Sequence, residues 1–200
     1  MDAFNLLKAD HRKVEELFSQ LESASGQAKM RVFEQIKMEL ELHTHIEEKI
    51  FYPALEKPKQ THDLTLEAYE EHDVVKKLLR EMSKAKSANE EWQAKAKVLQ
   101  ENVEHHVEEE ENELFPKAEA ALSEEQIEAL GEQMETEKER KQRGATKSSS
   151  KKKSAGANKS ASKTKSASTA AKRARASKKS GSKSSSKSSR CWEGPWRLTR

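Results

Sequence analysis

Two segments of the sequence repeat one spacing of histidine and glutamate. His43 and Glu47 are four residues apart, and so are His106 and Glu110. In both segments a proline follows the histidine by ten residues, so on a helix the pair shares one face about one turn before the helix end. Imidazole and carboxylate groups on one face are typical metal ligands. The spacing therefore predicts a metal site built from two similar helices.

A second duplicated feature precedes each segment. Asp10-His11 and Glu71-His72 each stand before an apolar helical run, a little over thirty residues ahead of the His-x-x-x-Glu pair. Equivalent histidines are separated by 61 residues (His11 to His72) and by 63 residues (His43 to His106). Repeats of this length indicate repeated supersecondary units. We expect two helical hairpins related by a pseudo-twofold axis.

The apolar pattern predicts the elements that position these residues. Apolar residues recur at intervals of three and four through the first 120 positions, which is typical of amphipathic helices. Capping boxes at Ser87/Glu90 and Ser123/Gln126 mark two helix starts. Short connections favour an all-α, antiparallel, up-down four-helix bundle. The predicted helices cover about residues 3–23, 27–55, 61–86, 88–120 and, as a short fifth helix, 124–140.

The repeated polar residues interrupt the apolar stripe of every helix in the predicted bundle. Buried ionised groups without partners cost several kcal/mol, and cations would supply those partners. A nitrogen and oxygen donor set without thiolate favours iron, manganese or zinc. We expect two metals bridged by the carboxylates, with the first two histidines on one ion and the last two on the other. The candidate ligands are His11, His43, Glu47, His72, His106 and Glu110.

The remaining histidines and the acidic run are expected on the surface. His45, His62 and His105 fall off the apolar stripes. The acidic run 108–111 is interpreted as a solvated face in which only Glu110 is in register with the core.

The pattern His11, His43-x-x-x-Glu47, His72, His106-x-x-x-Glu110 resembles the hemerythrin-like HHE cation-binding family over about residues 1–120. The resemblance implies an up-down four-helix bundle with a non-haem di-iron centre. Functions in the family include reversible O2 binding, oxygen or redox sensing, iron handling and nitric oxide chemistry. A fold-level resemblance does not choose among them.

The sequence departs from the oxygen-carrying members of that family. Lys76 stands where the carriers have a second histidine four residues after the third-helix ligand, and Glu110 follows His106 by four residues where they have an aspartate at five. This departure predicts open positions on each iron, which favour reaction with O2, peroxide or NO over reversible carriage. Glu15, one turn after His11, is a further candidate ligand, although an exposed glutamate is the alternative interpretation.

The charge distribution divides the chain. Residues 1–140 carry 19 Lys and Arg against 34 Asp and Glu, a net charge of −15, whereas residues 141–200 carry 19 against 1, a net charge of +18. Beyond Gly144 the chain is rich in Lys, Ser and Ala without apolar periodicity, which is typical of disorder. We therefore predict a bundle at 1–122, a short helical extension at 123–143 and a disordered basic tail at 144–200.

The basic tail predicts binding to a polyanion. Lysine and arginine contacts to phosphates give affinity for DNA or RNA without reading sequence. The composition resembles that of linker-histone tails. The alternative is an intramolecular role in which the tail screens the acidic bundle. Candidate nucleic-acid-binding residues are Lys151, Lys152, Lys153, Lys172, Arg173, Arg175, Lys178 and Lys179.

Three functions are consistent with these features. The leading hypothesis is a di-iron protein held near nucleic acid, where it senses or consumes O2, peroxide, NO or free iron. The second is a nucleoid-associated architectural protein with a structural metal site. The third is an oxidase or peroxidase, for which no substrate pocket or general base is evident. The absence of a membrane-span or secretory pattern predicts a cytoplasmic location, and the basic tail adds association with the nucleoid as an expectation.

Overall fold

The computed structural model describes residues 1–154, with side chains through residue 144, and this part of the chain is helical. It contains no strand, which confirms the predicted all-α class. The helices are α1 (Ala3–Ser23), α2 (Gly26–Ile46), α3 (Tyr52–Leu55), α4 (Lys59–Met82), α5 (Glu90–Glu109), α6 (Phe115–Ala121) and α7 (Glu124–Ser154). Within this range no helix is both long and apolar enough to cross a membrane.

The second and fourth helices of the predicted bundle each contain a π-helical turn. Glu47–Phe51 joins α2 to α3, and Glu110–Leu114 joins α5 to α6. At the end of each π turn, the next residue donates its N–H to the carbonyl of the turn's first residue, five positions earlier. Pro53 and Pro116 follow in the first turn of α3 and α6. Since proline has no N–H and its ring clashes with the preceding helical turn, a local change of register accommodates it.

The helix starts agree with the sequence at one predicted cap and differ at another. Gln126 donates its N–H to Ser123 Oγ at 3.3 Å, and Ser123 donates its own to Gln126 Oε1 at 2.9 Å, which confirms that capping box. The Ser87/Glu90 box is wrong. Glu90 is the first residue of α5, and Asn89 is the cap, because its Oδ1 accepts the N–H three residues on at 2.9 Å.

Apolar residues form two buried clusters along the bundle. The first contains Val14 and Leu40 among its members, and the second contains Leu7 and Ile46. The helices α1, α2 and α4 contribute to both clusters, and in each of them the candidate histidine falls between the two contributions in sequence. His11, for example, lies between Leu7 and Val14. The polar residues therefore form a layer enclosed by apolar side chains on both sides.

The fifth helix is longer than predicted. α7 begins at Glu124, as expected, but continues to Ser154 and does not end near residue 140. Its buried Ile127 and Met134 join the second apolar cluster. At Gly131 the helix approaches the main chain of residues 1–3 so closely that a Cβ atom would overlap it. The structure places residues 144–154 in this helix, where the sequence predicted the start of a disordered tail, and the rest of that tail, 155–200, lies outside the described residues.

Substituting Gly131→Val is expected to weaken the packing of α7 on the start of α1. Overpacking of this kind costs about 1–3 kcal/mol. The free energy of unfolding and amide exchange in α7 would measure the loss. Gly144→Val is the matched control, because a Cβ at that helical glycine meets no atom within 4 Å. Equal effects of the two substitutions would contradict the close packing at Gly131.

Candidate metal centre

All six candidate ligands converge in the middle of the bundle. One group contains His11, His43, Glu47 and Glu110, and a second contains Glu47, His72 and His106, with the potential ligand atoms of each group within 4.8 Å of one another. Each of the six residues is at most 6% exposed. Glu47 belongs to both groups, so its carboxylate can offer a donor atom to each. The arrangement has the predicted division into a first and a second histidine pair.

The Nε2 atoms of the histidines face the glutamates at the centre. Glu47 Oε2 lies 3.2 Å from His43 Nε2 and 3.3 Å from His72 Nε2. His11 Nε2 lies 3.3 Å from Glu110 Oε2. The Nε2 atoms of His72 and His106 are 3.2 Å apart. Four Nε2 atoms and two carboxylates therefore surround one small volume.

The opposite ring nitrogen, Nδ1, contacts an outer carboxylate in three of the four histidines. This hydrogen bond fixes the tautomer and leaves Nε2 as the inward donor to a metal, a common outer-shell arrangement. The pairs are His11 with Glu111 at 2.6 Å, His72 with Glu48 at 3.0 Å and His106 with Glu71 at 2.7 Å.

The fourth histidine, His43, lacks this hydrogen bond. The nearest carboxylate, Asp10 Oδ2, is 3.8 Å from His43 Nδ1, and His43 Nδ1 is buried without a hydrogen-bond partner. The other oxygen of Asp10 accepts a hydrogen bond from Lys138 of α7. Three of the four histidines therefore have an outer carboxylate bonded to Nδ1, whereas the carboxylate nearest to His43 bonds Lys138 instead.

Two of these outer carboxylates were missed by the sequence interpretation. Glu111 was assigned to a solvated face, but it is partly buried and bonds His11 across the bundle. Glu48 makes the equivalent contact with His72. Both follow a candidate glutamate ligand by one residue, so the repeated Glu-Glu pair was the available signal.

One tyrosine breaks the pseudo-twofold relation. The hydroxyl of Tyr52 lies 3.3 Å from His72 Nε2 and donates to Glu110 Oε1 at 3.3 Å. Phe115 occupies the equivalent position before the second proline, and its ring stacks at 6.2 Å on His11. The second histidine pair therefore has a buried hydroxyl beside it, whereas the first has an apolar ring.

The two buried glutamates have opposite pKa shifts. Burial, followed by the negative charge of Glu110, raises the pKa of Glu47 well above its ordinary value. Burial also disfavours the charged form of Glu110, but the close contact with His11 Nε2 at 3.3 Å and the nearby histidine charges lower its pKa to about 2. Burial favours neutral His11 too, yet the same contact and the charge of Glu110 raise the pKa of His11 to about 9. Cation binding at the centre therefore displaces protons.

The donor atoms at the centre fit a bound cation. His11 Nε2, both oxygens of Glu47 and Glu110 Oε2 are buried without a hydrogen-bond partner. Buried polar atoms normally have such partners. A cation between them would satisfy all four atoms at once.

The remaining candidates lie away from the centre. Lys76 pairs with Glu48 at 2.5 Å, so this lysine supports an outer carboxylate. Glu15 and His62 are exposed, and the side chain of His105 is 63% exposed. His45 is also outside the centre, as predicted, but contacts α7. The predicted nucleic-acid-binding residues are outside the part of the chain whose side chains are described.

A small apolar chamber adjoins the centre on the side away from the glutamates. It has a volume of about 20 Å³, enough for one water molecule or a diatomic molecule. A surface groove of about 480 Å³ shares four lining residues with it: His11, Val14, Val103 and Val107. The groove and the chamber therefore adjoin at these four residues.

The fold and the buried His/Glu layer define a helical-bundle metal-binding protein. The Hemerythrin HHE cation binding domain model matches residues 2–118, which is more than half of the chain, and the chain belongs to this family. This match confirms the family resemblance and the cation-binding character of the bundle.

Two known proteins resemble the chain. A crystal structure of a hemerythrin HHE cation-binding domain-containing protein from Mycobacterium kansasii superposes with a TM-score of 0.61 and 23% identity, over 70% of this chain and 86% of that one. At this identity the likeness concerns the fold. A DNA nickase from Nostoc sp. is 31% identical over 129 residues, which are 64% of this chain and 36% of the nickase. The chain thus spans about a third of the nickase's length.

Replacing Glu47 and Glu110 together by glutamine is expected to abolish metal binding while leaving the helices nearly intact. The amide keeps the shape of each side chain but removes the charge that balances the cation. Metal analysis by mass spectrometry and circular dichroism measure the two properties. Glu108→Gln is the control, because Glu108 is exposed on α5, the helix that contains His106. Unchanged metal content in the double variant would contradict the site assignment.

Proposed function

We propose that the bundle holds two non-haem iron ions and reacts with O2, NO or peroxide. The observation that carries this proposal is the pair of ligand groups that share Glu47. Six ligands divided between two ions leave positions that the protein does not fill, and iron would supply redox chemistry there. Manganese or zinc would fit the same donors without the same reactivity.

The chamber supports a small, uncharged exogenous ligand. Its walls away from the histidines are mostly aliphatic, and its volume of about 20 Å³ excludes larger molecules. An apolar wall offers no hydrogen bond to an anion, so O2 and NO fit it better than a charged ligand does.

Tyr52 is proposed to make the two iron positions inequivalent. Its hydroxyl lies 3.3 Å from His72 Nε2 and from Glu110 Oε1, on the side of the second histidine pair. Burial raises the pKa of Tyr52 well above its ordinary value, and the carboxylates add to this effect. The hydroxyl therefore keeps its proton and can donate it in a hydrogen bond at that position.

Protein produced in iron-rich medium is expected to contain about two irons per chain, as in other bundles with inward Glu and His ligands. Its ultraviolet-visible spectrum is expected to change on reduction and again on exposure to air, NO or peroxide. Tyr52→Phe should keep the metal but alter these spectra. One redox-inactive metal, or a reduced protein that ignores all three reagents, would favour the alternative of a structural metal in an architectural protein.

We also propose that the basic tail binds DNA or RNA without sequence specificity. The support is the net charge of +18 over residues 141–200 against −15 over residues 1–140. Counterion release makes such binding strong at low salt and weak at high salt. In this proposal the tail gives the protein its location and the bundle gives it its chemistry.

Replacing the eight candidate tail residues by glutamine is expected to lower affinity for plasmid DNA and to flatten its salt dependence. The slope of log K against log salt should fall by up to about 7, because each lost phosphate contact contributes roughly 0.9. Mobility shifts at several salt concentrations measure this slope. Eight Ser→Ala changes in the same tail are the control. Binding by neither the parent nor the control would favour the intramolecular screening role.

DNA nicking is a second candidate function, favoured by the similarity to the Nostoc nickase. The buried ligands and the chamber of about 20 Å³ do not admit a DNA phosphate, so this function ranks second. Conversion of supercoiled to open-circle plasmid in the same binding assay tests it. Nicking that survives the Glu47 and Glu110 substitutions would place the activity outside the bundle centre.

A further inference from the structure

The helix α7 lies outside the region that the family model matches, yet it contacts the edge of the metal centre. The family match ends at residue 118, and α7 begins at Glu124. Lys138 of α7 donates to Asp10, the only carboxylate near Nδ1 of His43 among the described residues. The helix α7, which lies beyond the matched domain, is therefore linked to the candidate ligand His43 through one side chain, that of Asp10.

The contacts around Lys138 fix α7 firmly in this position. Glu137, 8% exposed, accepts hydrogen bonds from His45 Nε2 at 2.7 Å and from Lys49 at 2.6 Å, both next to the candidate ligands of α2 and its π turn. Arg140 adds a second pair of hydrogen bonds to the same carboxylate. These contacts fix the position of Lys138, which donates a hydrogen bond to Asp10.

The four histidines differ in the distance from Nδ1 to the nearest outer carboxylate. Three have a carboxylate within 3.0 Å of Nδ1, whereas Asp10 stays 3.8 Å from His43. Asp10 precedes His11 as Glu71 precedes His72, and Glu71 does bond the corresponding histidine, His106. The position of Asp10 in the repeat is therefore suited to His43. Asp10 differs from Glu71 in a side chain that is one methylene shorter and in the bond of its other oxygen to Lys138.

We propose that Lys138 is a positioning residue that keeps Asp10 away from His43, so that docked α7 weakens metal binding at the His11–His43 half of the centre. Outer-shell carboxylates on metal-bound histidines change metal affinity by about 10- to 100-fold. When Lys138 is removed, Asp10 completes the fourth carboxylate–histidine pair. By linkage, metal binding in turn loosens the Lys138–Asp10 contact.

This inference rests on the proposed two-metal centre. The test uses the full chain loaded with Zn²⁺, which avoids redox change, and follows metal release to a chromogenic chelator. Release in the parent is expected in two phases, one for each half. Lys138→Met should slow one phase about tenfold, the lower end of the range for outer-shell carboxylates, and leave the other unchanged. Lys138→Arg, which keeps the charge, should release metal as the parent does.

Two further variants separate the inference from a general effect of charge or folding. Lys141→Met removes a cation from an exposed position of the same helix and should leave both phases unchanged. In an Asp10→Asn background, Lys138→Met should have no additional effect. Circular dichroism establishes that each variant is folded.

The results of these experiments test the role of Lys138 separately from the two-metal centre. Unchanged or faster release from Lys138→Met, or the same change from Lys141→Met, would overturn the role of Lys138. A parent protein that takes up no zinc at the centre would instead overturn the two-metal proposal. Slower release of one phase that disappears with Asp10→Asn would establish the Lys138–Asp10–His43 relation.

Discussion

The central constraint on this structure is the burial of two carboxylates and four imidazoles in one layer of a helical bundle. Such groups are stable inside a protein only when charges and hydrogen bonds compensate their loss of water. The inner atoms face one another and leave four donor atoms without hydrogen bonds. Three of the four outer nitrogens instead contact partly buried carboxylates. The apolar clusters on either side hold this layer in place.

The two halves of the bundle stabilise their buried histidines through nearly the same contacts, and they differ at two residues. Glu48 and Glu111 occupy equivalent positions and bond equivalent histidines. Asp10 and Tyr52 break the equivalence, the first through α7 and the second through its hydroxyl. A nearly symmetric scaffold thus provides two chemically distinct groups of potential ligands.

The all-α class, the pairing of the histidines and the buried register of the glutamates could be predicted from the sequence, because each depends on local periodicity and on the repeat. The π turns could not, since a one-residue change of register leaves the apolar pattern almost unaltered. The length of α7 was also missed. Its second half is polar and lacks the apolar stripe by which helices are recognised, although its first half packs through Ile127 and Met134. The Asn89 cap shows that helix starts are set by local geometry among several suitable polar residues.

The two π turns keep the two halves of the site in the same register. Each is equivalent to one additional residue in an α-helix, and each begins at the glutamate of its His-x-x-x-Glu segment. Because both occur at the same offset, each shifts the residues that follow it by the same step, so Tyr52 and Phe115 come to equivalent positions. Loss of one π turn alone would rotate the residues that follow it by about 100° and would move Tyr52 or Phe115 away from the histidine that it contacts.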